Sequence, residues 1–202
     1  MARSSTISVG YSETDKPWRS AAAFAMVGLE SMARVAIFVE KMYEELEAWY
    51  PALRLREAGN ETVFLAPKAG EVYAGKHGYP VKSDLAVGDA KPEDFDAVVI
   101  PGGFAPDYLR RDPAVIAFVR ALFAAGKPVA AICHGAWILA SAEIVKGKRV
   151  TSFSAIRDDV VHAGGIWEDA ETVRDGNLIT ARKPEDLPRF MVAVLEALQE
   201  RS

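Results

Sequence analysis

Cysteine is nearly missing from these 202 residues: Cys133 is the only one. With one thiol the chain closes no internal disulfide and builds no cysteine-rich zinc site, which points to a reducing compartment, the cytoplasm. Histidine is scarce too. His77, His134 and His162 show no HxH or HExxH spacing, so the sequence offers no zinc or iron ligand set. Basic charge is not in excess, since 24 Lys and Arg face 28 Asp and Glu for a net −4. Without a basic stripe, nucleic acid and anionic membrane are poor partners. Long apolar runs are absent near the start of the chain, where Ala21 to Leu29 is the longest and a membrane span needs about 20 residues. Glu13 and Asp15 precede that run and Glu30 follows it without a small-residue cleavage pattern, unlike a signal peptide.

What is present suits one folded domain. Half of the residues are apolar and 26% are charged, enough to bury a core. Residues 1–31, Ser/Thr-rich and then Ala-rich, read as an appended arm or as sequence ahead of a start at Met32; residues 32–202 form the domain. From Arg34 onward short β-rich runs alternate with helical patterns, the signature of a parallel sheet covered on both faces. Strands are expected at Val35–Val39, Thr62–Ala66, Ala97–Ile100, Val129–Ile132 and Leu178–Thr180, with shorter extended pieces near Val72, Val81 and Val150. Three- and four-residue apolar spacing predicts helices over about Tyr43–Ala58, Pro113–Ala125, His134–Ala142, Ala155–Ala163 and Glu185–Gln199.

In such a sheet, ligands bind beyond the carboxyl ends of the strands, and three strand ends carry chemistry. Val129 to Ile132 runs into Cys133-His134-Gly135, a strand-to-helix elbow that would present the cysteine at its tip and lower the thiol pKa with the following helix N-terminus. From position alone Cys133 reads equally as a nucleophile or as a small apolar residue completing a buried strand. Pro101-Gly102-Gly103 follows another strand, where two glycines let the backbone approach a ligand and offer N–H groups to an oxyanion, or simply make a tight turn. Glu40 to Glu47 follows the first strand with acids at 40, 44, 45 and 47, which ordinarily marks a solvated helix start. His77, in a turn, and His162, at a helix end, read as structural. His134 adjoins the candidate nucleophile.

Several of these segments, taken together and in order, resemble the ThiJ/PfpI family in its PfpI-type intracellular protease and deglycase branch. They are Ala131-Ile132-Cys133-His134-Gly135, Pro101-Gly102-Gly103, Gly75-Lys76-His77-Gly78-Tyr79, Asp175-Gly176-Asn177-Leu178-Ile179-Thr180 and Arg182-Lys183-Pro184-Glu185-Asp186-Leu187-Pro188. The resemblance spans about Met32 to Leu198 and implies a flavodoxin-like, class I glutamine amidotransferase-like three-layer α/β/α sandwich with a mostly parallel sheet. It further implies Cys133 as nucleophile, His134 as adjacent base, and Glu44 as the carboxylate on the cysteine sulfur. Gly103 and His134 would supply the oxyanion-hole N–H groups. An acid from a neighbouring subunit would orient the histidine; here it is Asp107, one methylene shorter than the Glu of some members. Ala136 stands where proline is common after Cys-His-Gly.

The expected activity is thiol-dependent hydrolysis without a cofactor. It would act on methylglyoxal-type adducts of proteins or nucleotides as a deglycase or glyoxalase, or on peptides as a cysteine peptidase. A redox-sensing stress protein or holdase with an oxidisable Cys133 is the alternative. The expected partner is a second copy of the chain, in a dimer or in a hexamer built as a trimer of dimers.

Overall fold

The computed structural model describes residues 32–201; the arm expected at residues 1–31 lies outside them. In chain order the strands are β1 (Arg34–Phe38), β2 (Glu61–Ala66), β3 (Val72–Ala74), β4 (Pro80–Lys82), β5 (Leu85–Ala86), β6 (Ala97–Ile100), β7 (Val129–Ile132), β8 (Arg149–Val150), β9 (Ile166–Trp167), β10 (Thr172–Asp175) and β11 (Leu178–Ala181). The α-helices are α1 (Glu45–Glu57), α2 (Ala105–Leu109), α3 (Pro113–Ala124), α4 (Ala136–Ser141), α5 (Arg157–His162) and α6 (Leu187–Gln199).

Seven strands form the main sheet in the order β10-β11-β7-β6-β1-β2-β5. All neighbours are parallel except the β10–β11 hairpin. Every residue of β6, β7 and β11 is buried, as expected of strands covered on both faces. Helices α1 and α6 pack together on one face, and α2 to α5 cover the other, which completes the flavodoxin-like sandwich. Helix α3 buries Val115, Phe118, Val119 and Leu122 at helical spacing, and the Asp112 side chain accepts from the Ala114 N–H at 2.8 Å to start it. Burial of each such large side chain contributes roughly 1.5–3 kcal/mol. No helix among the described residues is long and apolar enough to cross a membrane.

The sheet winds outward from β1 to β2 and β5 on one side and from β6 to β7 and β11 on the other. Its switch point therefore lies between β1 and β6, and the crevice beyond their carboxyl ends is where a ligand fits. Strand β7, next to β6, delivers Cys133 to the same edge.

Candidate active site

Cys133 follows β7 with φ of 59°, a left-handed conformation that costs a non-glycine residue about 1–3 kcal/mol and is held only by its surroundings. Two glycines make that tip possible. A Cβ at Gly135 would lie 2.3 Å from the Ile100 carbonyl oxygen, and one at Gly102 would lie 2.7 Å from Cys133 Cβ. The elbow and the end of β6 are thus in direct backbone contact. His134 turns back along the elbow and sets Nδ1 3.2 Å from Cys133 Sγ. Its ring stacks on Phe153 and meets the edge of Trp137, each with centroids 5.0 Å apart. Burial, and then the Lys76 charge, hold the His134 pKa below its ordinary value, so the ring is a neutral acceptor at neutral pH.

Opposite the elbow runs the segment after β1. Tyr43 and Gly103 form an antiparallel bridge, flanked by Glu44 N–H to Gly102 O at 3.2 Å and Phe104 N–H to Met42 O at 2.8 Å. These bonds fix Gly103 so that its N–H, with that of His134, points at the Cys133 sulfur. The two donors expected to form an oxyanion hole lie together here.

The family resemblance implies Glu44 as the acid on the sulfur. The structure corrects this: Glu47, one turn along, carries the carboxyl that interacts with the thiol. Helix α1 begins at Glu45, which turns Glu47 inward beside Ala48, Pro51 and Leu55 and leaves Glu44 at the helix boundary. The fully buried Glu47 accepts the Gly102 N–H on Oε2 at 2.7 Å. Its Oε1 has no complete hydrogen bond among the described residues. Desolvation, reinforced by the Glu44 charge, pushes the Glu47 pKa up to about 8, so the group is protonated at neutral pH. Glu44 instead pairs with the Lys76 ammonium.

The helix N-terminus after the elbow predicts a lowered thiol pKa, and the balance goes the other way. Burial and then the nearby Glu47 charge push Cys133 up, against the smaller effect of the His134 and Gly103 N–H groups. Thiol and carboxyl form a coupled pair, and the resting pair is uncharged. A thiolate forms when a base takes the proton, and the protonated Glu47 can then donate a hydrogen bond to the sulfur.

Asp107 lies in the first turn of α2 and pairs with Arg111. Among the described residues no carboxylate bonds to the His134 ring. Lys76, read from sequence only as part of a turn, lies in the site. It could have been flagged as the cation in a tight Gly-Lys-His-Gly turn facing an acid-rich segment. The turn is pinned by His77 N–H to Glu45 Oε1 at 2.6 Å and His77 Nδ1 to Glu45 Oε2 at 3.0 Å. Glu44, Glu45 and His77 bring potential metal-ligand atoms within 4.8 Å of one another, but Lys76 already neutralises Glu44 and Glu45 accepts from His77.

Cys133, His134, Glu44, Glu47 and Lys76 line a cleft of about 310 Å³, whose apolar side is made by Met42, Phe104, Phe153 and Pro184. This is the small end of ligand sites, and it joins a thiol, a neutral imidazole, two N–H donors and an ammonium group.

Known proteins repeat this arrangement of segments. The model of the DJ-1/PfpI family matches residues 33–197. The protein named Deglycase PfpI from Pyrococcus furiosus is 45% identical over 157 residues, 78% of this chain and 94% of that one. Putative cysteine protease YraA of Bacillus subtilis is 41% identical over 157 residues, 78% and 93% of the two chains. A crystal structure from Anabaena variabilis, a two-domain protein with dj-1/thij/pfpi-like and ferritin-like domains, superimposes with a TM-score of 0.81 and 42% identity. The match covers 83% of this chain and 48% of that longer one. With a family model matching nearly all of the described domain and relatives above 40% identity, the chain belongs to the DJ-1/PfpI family.

Proposed function

We propose that the protein is a cofactor-independent thiol hydrolase that removes 2-oxoaldehyde adducts of the methylglyoxal type from amines and converts the free aldehyde to a 2-hydroxy acid. The observation that carries this reading is Cys133 Sγ at 3.2 Å from a neutral His134 ring, with the Gly103 and His134 N–H groups aimed at the same sulfur. The deglycase name of the Pyrococcus relative supports it. The Bacillus relative's name supports peptidase chemistry on the same thiol, but a cleft of about 310 Å³ suits a small adduct better than an extended peptide.

His134 takes the thiol proton and the sulfur attacks the carbon bearing the adduct. On a hemiaminal, the S–C bond forms as the C–N bond breaks, and His134 returns the proton to the departing amine. On a free aldehyde, the carbonyl π pair moves to oxygen and a hemithioacetal forms after protonation. A proton then passes from that carbon to its neighbour, giving a thioester, and water releases the 2-hydroxy acid and the thiol. Oxygen charge that develops next to the sulfur is met by the two N–H groups.

The orienting acid for His134 is proposed to be Asp107 of a second copy. Leu46, Tyr50 and Leu53 support a dimer, because they leave an apolar stripe exposed along α1. The lone free thiol supports a cytoplasmic setting.

The test is methylglyoxal, and a methylglyoxal-treated peptide, incubated with the protein and with Cys133→Ala, reading 2-hydroxy acid and intact peptide mass. Adduct loss that disappears in the variant is the expected result. Cysteine-dependent peptide cutting without adduct loss would replace the reading by a peptidase. Mixing Cys133→Ala with Asp107→Ala protein should restore part of the turnover if the acid comes from a partner, and no restoration would remove that element.

One observation favours a second reading, a redox-sensing role. The protonated Glu47 beside the sulfur is placed to donate a hydrogen bond to an oxidised Cys133 sulfinate. Cys133-independent chemistry, together with a peroxide-induced mass gain of two oxygens on Cys133, would favour it.

A further inference from the structure

The Lys76 ammonium group is a charged element of the cleft that the chemistry above leaves without a task. Its backbone is not free to wander. Lys76 N–H donates to Tyr43 O at 3.0 Å, and Tyr43 is the residue bridged to Gly103. The Tyr43 hydroxyl in turn donates to Tyr79 O at 2.8 Å, across the same hairpin turn. A continuous run of main-chain bonds therefore holds Lys76 in register with the N–H groups that face the sulfur. The turn is close-packed as well, since a Cβ at Gly75 would lie 2.3 Å from Glu45 Oε1.

The side chain is 40% exposed and bonds the almost fully buried Glu44. An ammonium group has three donors, and Glu44 takes one. The others are available to the cleft that Lys76 lines together with Cys133 and His134. The Lys76 charge acts on the Cys133, Glu47 and His134 groups, as proximity requires. The cleft thus has two separate places that stabilise negative oxygen: the N–H pair at the sulfur, and the ammonium group across from it. A substrate with one carbonyl uses only the first.

We infer that Lys76 is a further catalytic residue, whose ammonium group binds the second oxygen of a 1,2-dicarbonyl substrate and makes the site selective for vicinal dicarbonyls and their amine adducts. The inference rests on the deglycase reading and deepens it. Once sulfur is bonded to the aldehyde carbon, a base removes the hydrogen of that carbon as a proton. The electron pair forms the carbon–carbon double bond, and the π pair of the neighbouring ketone moves onto its oxygen. Lys76 bonds that oxygen as it becomes an enediolate. The hydroxyl on the first carbon then gives up its proton and the freed pair forms the thioester carbonyl. The carbon–carbon π pair takes a proton at the neighbouring carbon, and the enediolate oxygen takes a proton to become the hydroxyl of the 2-hydroxy acyl group. No oxidant or reductant is consumed, and Glu44 keeps the ammonium charged and directed.

The test compares two substrates of the Cys133 thiol: methylglyoxal, with adjacent oxygens, and p-nitrophenyl acetate, with one reacting carbonyl. In Lys76→Met, kcat/KM for methylglyoxal should fall about a hundredfold, the usual cost of losing one oxyanion donor, with most of the loss in kcat. The Cys133-dependent ester reaction should fall by a much smaller factor. The double variant Lys76→Met with Glu44→Gln removes both charges and guards against an unpaired buried carboxylate; it should show the same change in substrate ratio. Lys76→Arg should recover part of the methylglyoxal rate. Equal losses on both substrates, or no loss on methylglyoxal, would overturn the role of Lys76 while leaving the deglycase reading intact. A wild-type protein that cleaves the ester through Cys133 but ignores methylglyoxal would overturn both.

Discussion

The two walls of the cleft are built on different physics. On the elbow wall, Cys133, Gly102, Gly103 and Gly135 hold their places through backbone conformation and contacts closer than any Cβ allows. The facing wall, from Glu44 to Glu47 with the β3–β4 turn, is organised by charge: Glu44 with Lys76, Glu45 with His77, and a lone buried Glu47. The first wall fixes where a substrate atom must be. The second sets what protonation states and charges it meets there.

Gly135→Ala attacks the rigid wall directly. Its Cβ would meet the Ile100 carbonyl oxygen at 2.3 Å, a backbone atom that cannot rotate aside. Urea unfolding should show a loss of about 3 kcal/mol, with turnover falling as the elbow shifts. Stability within experimental error of the wild type would show that the elbow yields more easily than its geometry says.

Glu47→Gln probes the charged wall. The Glu47 pKa stands at about 8 in the folded protein against an ordinary 4.5, so between these values the folded state holds a proton that the unfolded state has released. Its contribution to stability is full below pH 4.5 and declines as pH rises toward 8, at up to about 1.4 kcal/mol per pH unit. The difference between wild type and Glu47→Gln should carry that slope and flatten above pH 8. Parallel stability curves would mean that Glu47 ionises normally.

Glu45→Gln tests the outer part of the same wall. Although burial opposes its charge, hydrogen bonds from its own N–H and from His77 hold the Glu45 carboxyl below its usual range. The His77 partner is exposed, so the cost should stay within about 1 kcal/mol and appear mainly in KM. A collapse of kcat would assign the turn a larger part than anchoring.

The same contrast explains how much the sequence revealed. Strands β1, β2, β6, β7 and β11 were legible because burial on both faces makes them unbroken apolar runs. Strand β10, Thr172-Val173-Arg174-Asp175, was missed because it is an edge strand with one fully buried residue, and β5 because it has two residues. Helix α2 is five residues long with Pro106 in its first turn, too short for a periodic signal. At the site, the elbow and glycine pair could be read as local motifs. Choosing Glu47 over Glu44 needed the phase of α1, and a signal for it existed: Glu47 shares the buried stripe of Pro51 and Leu55 at four-residue spacing, where an acid has no structural reason to be. Lys76 is distant in sequence from everything it meets except its own turn.

The main-chain stitching between residues 42–44 and 102–104 has a practical consequence for redesign. Met42 and Phe104 line the cleft, yet what they contribute to its framework is a carbonyl oxygen and an N–H. The two residues are 44% and 47% exposed, and their side chains can be exchanged without touching the bonds that register Gly103 against the sulfur. Phe104, whose backbone φ is an ordinary −97°, is the better place to begin, since Met42 has a φ of 64° that penalises bulky branched replacements. A library at position 104 would vary the shape of the entrance while leaving the reacting groups in place.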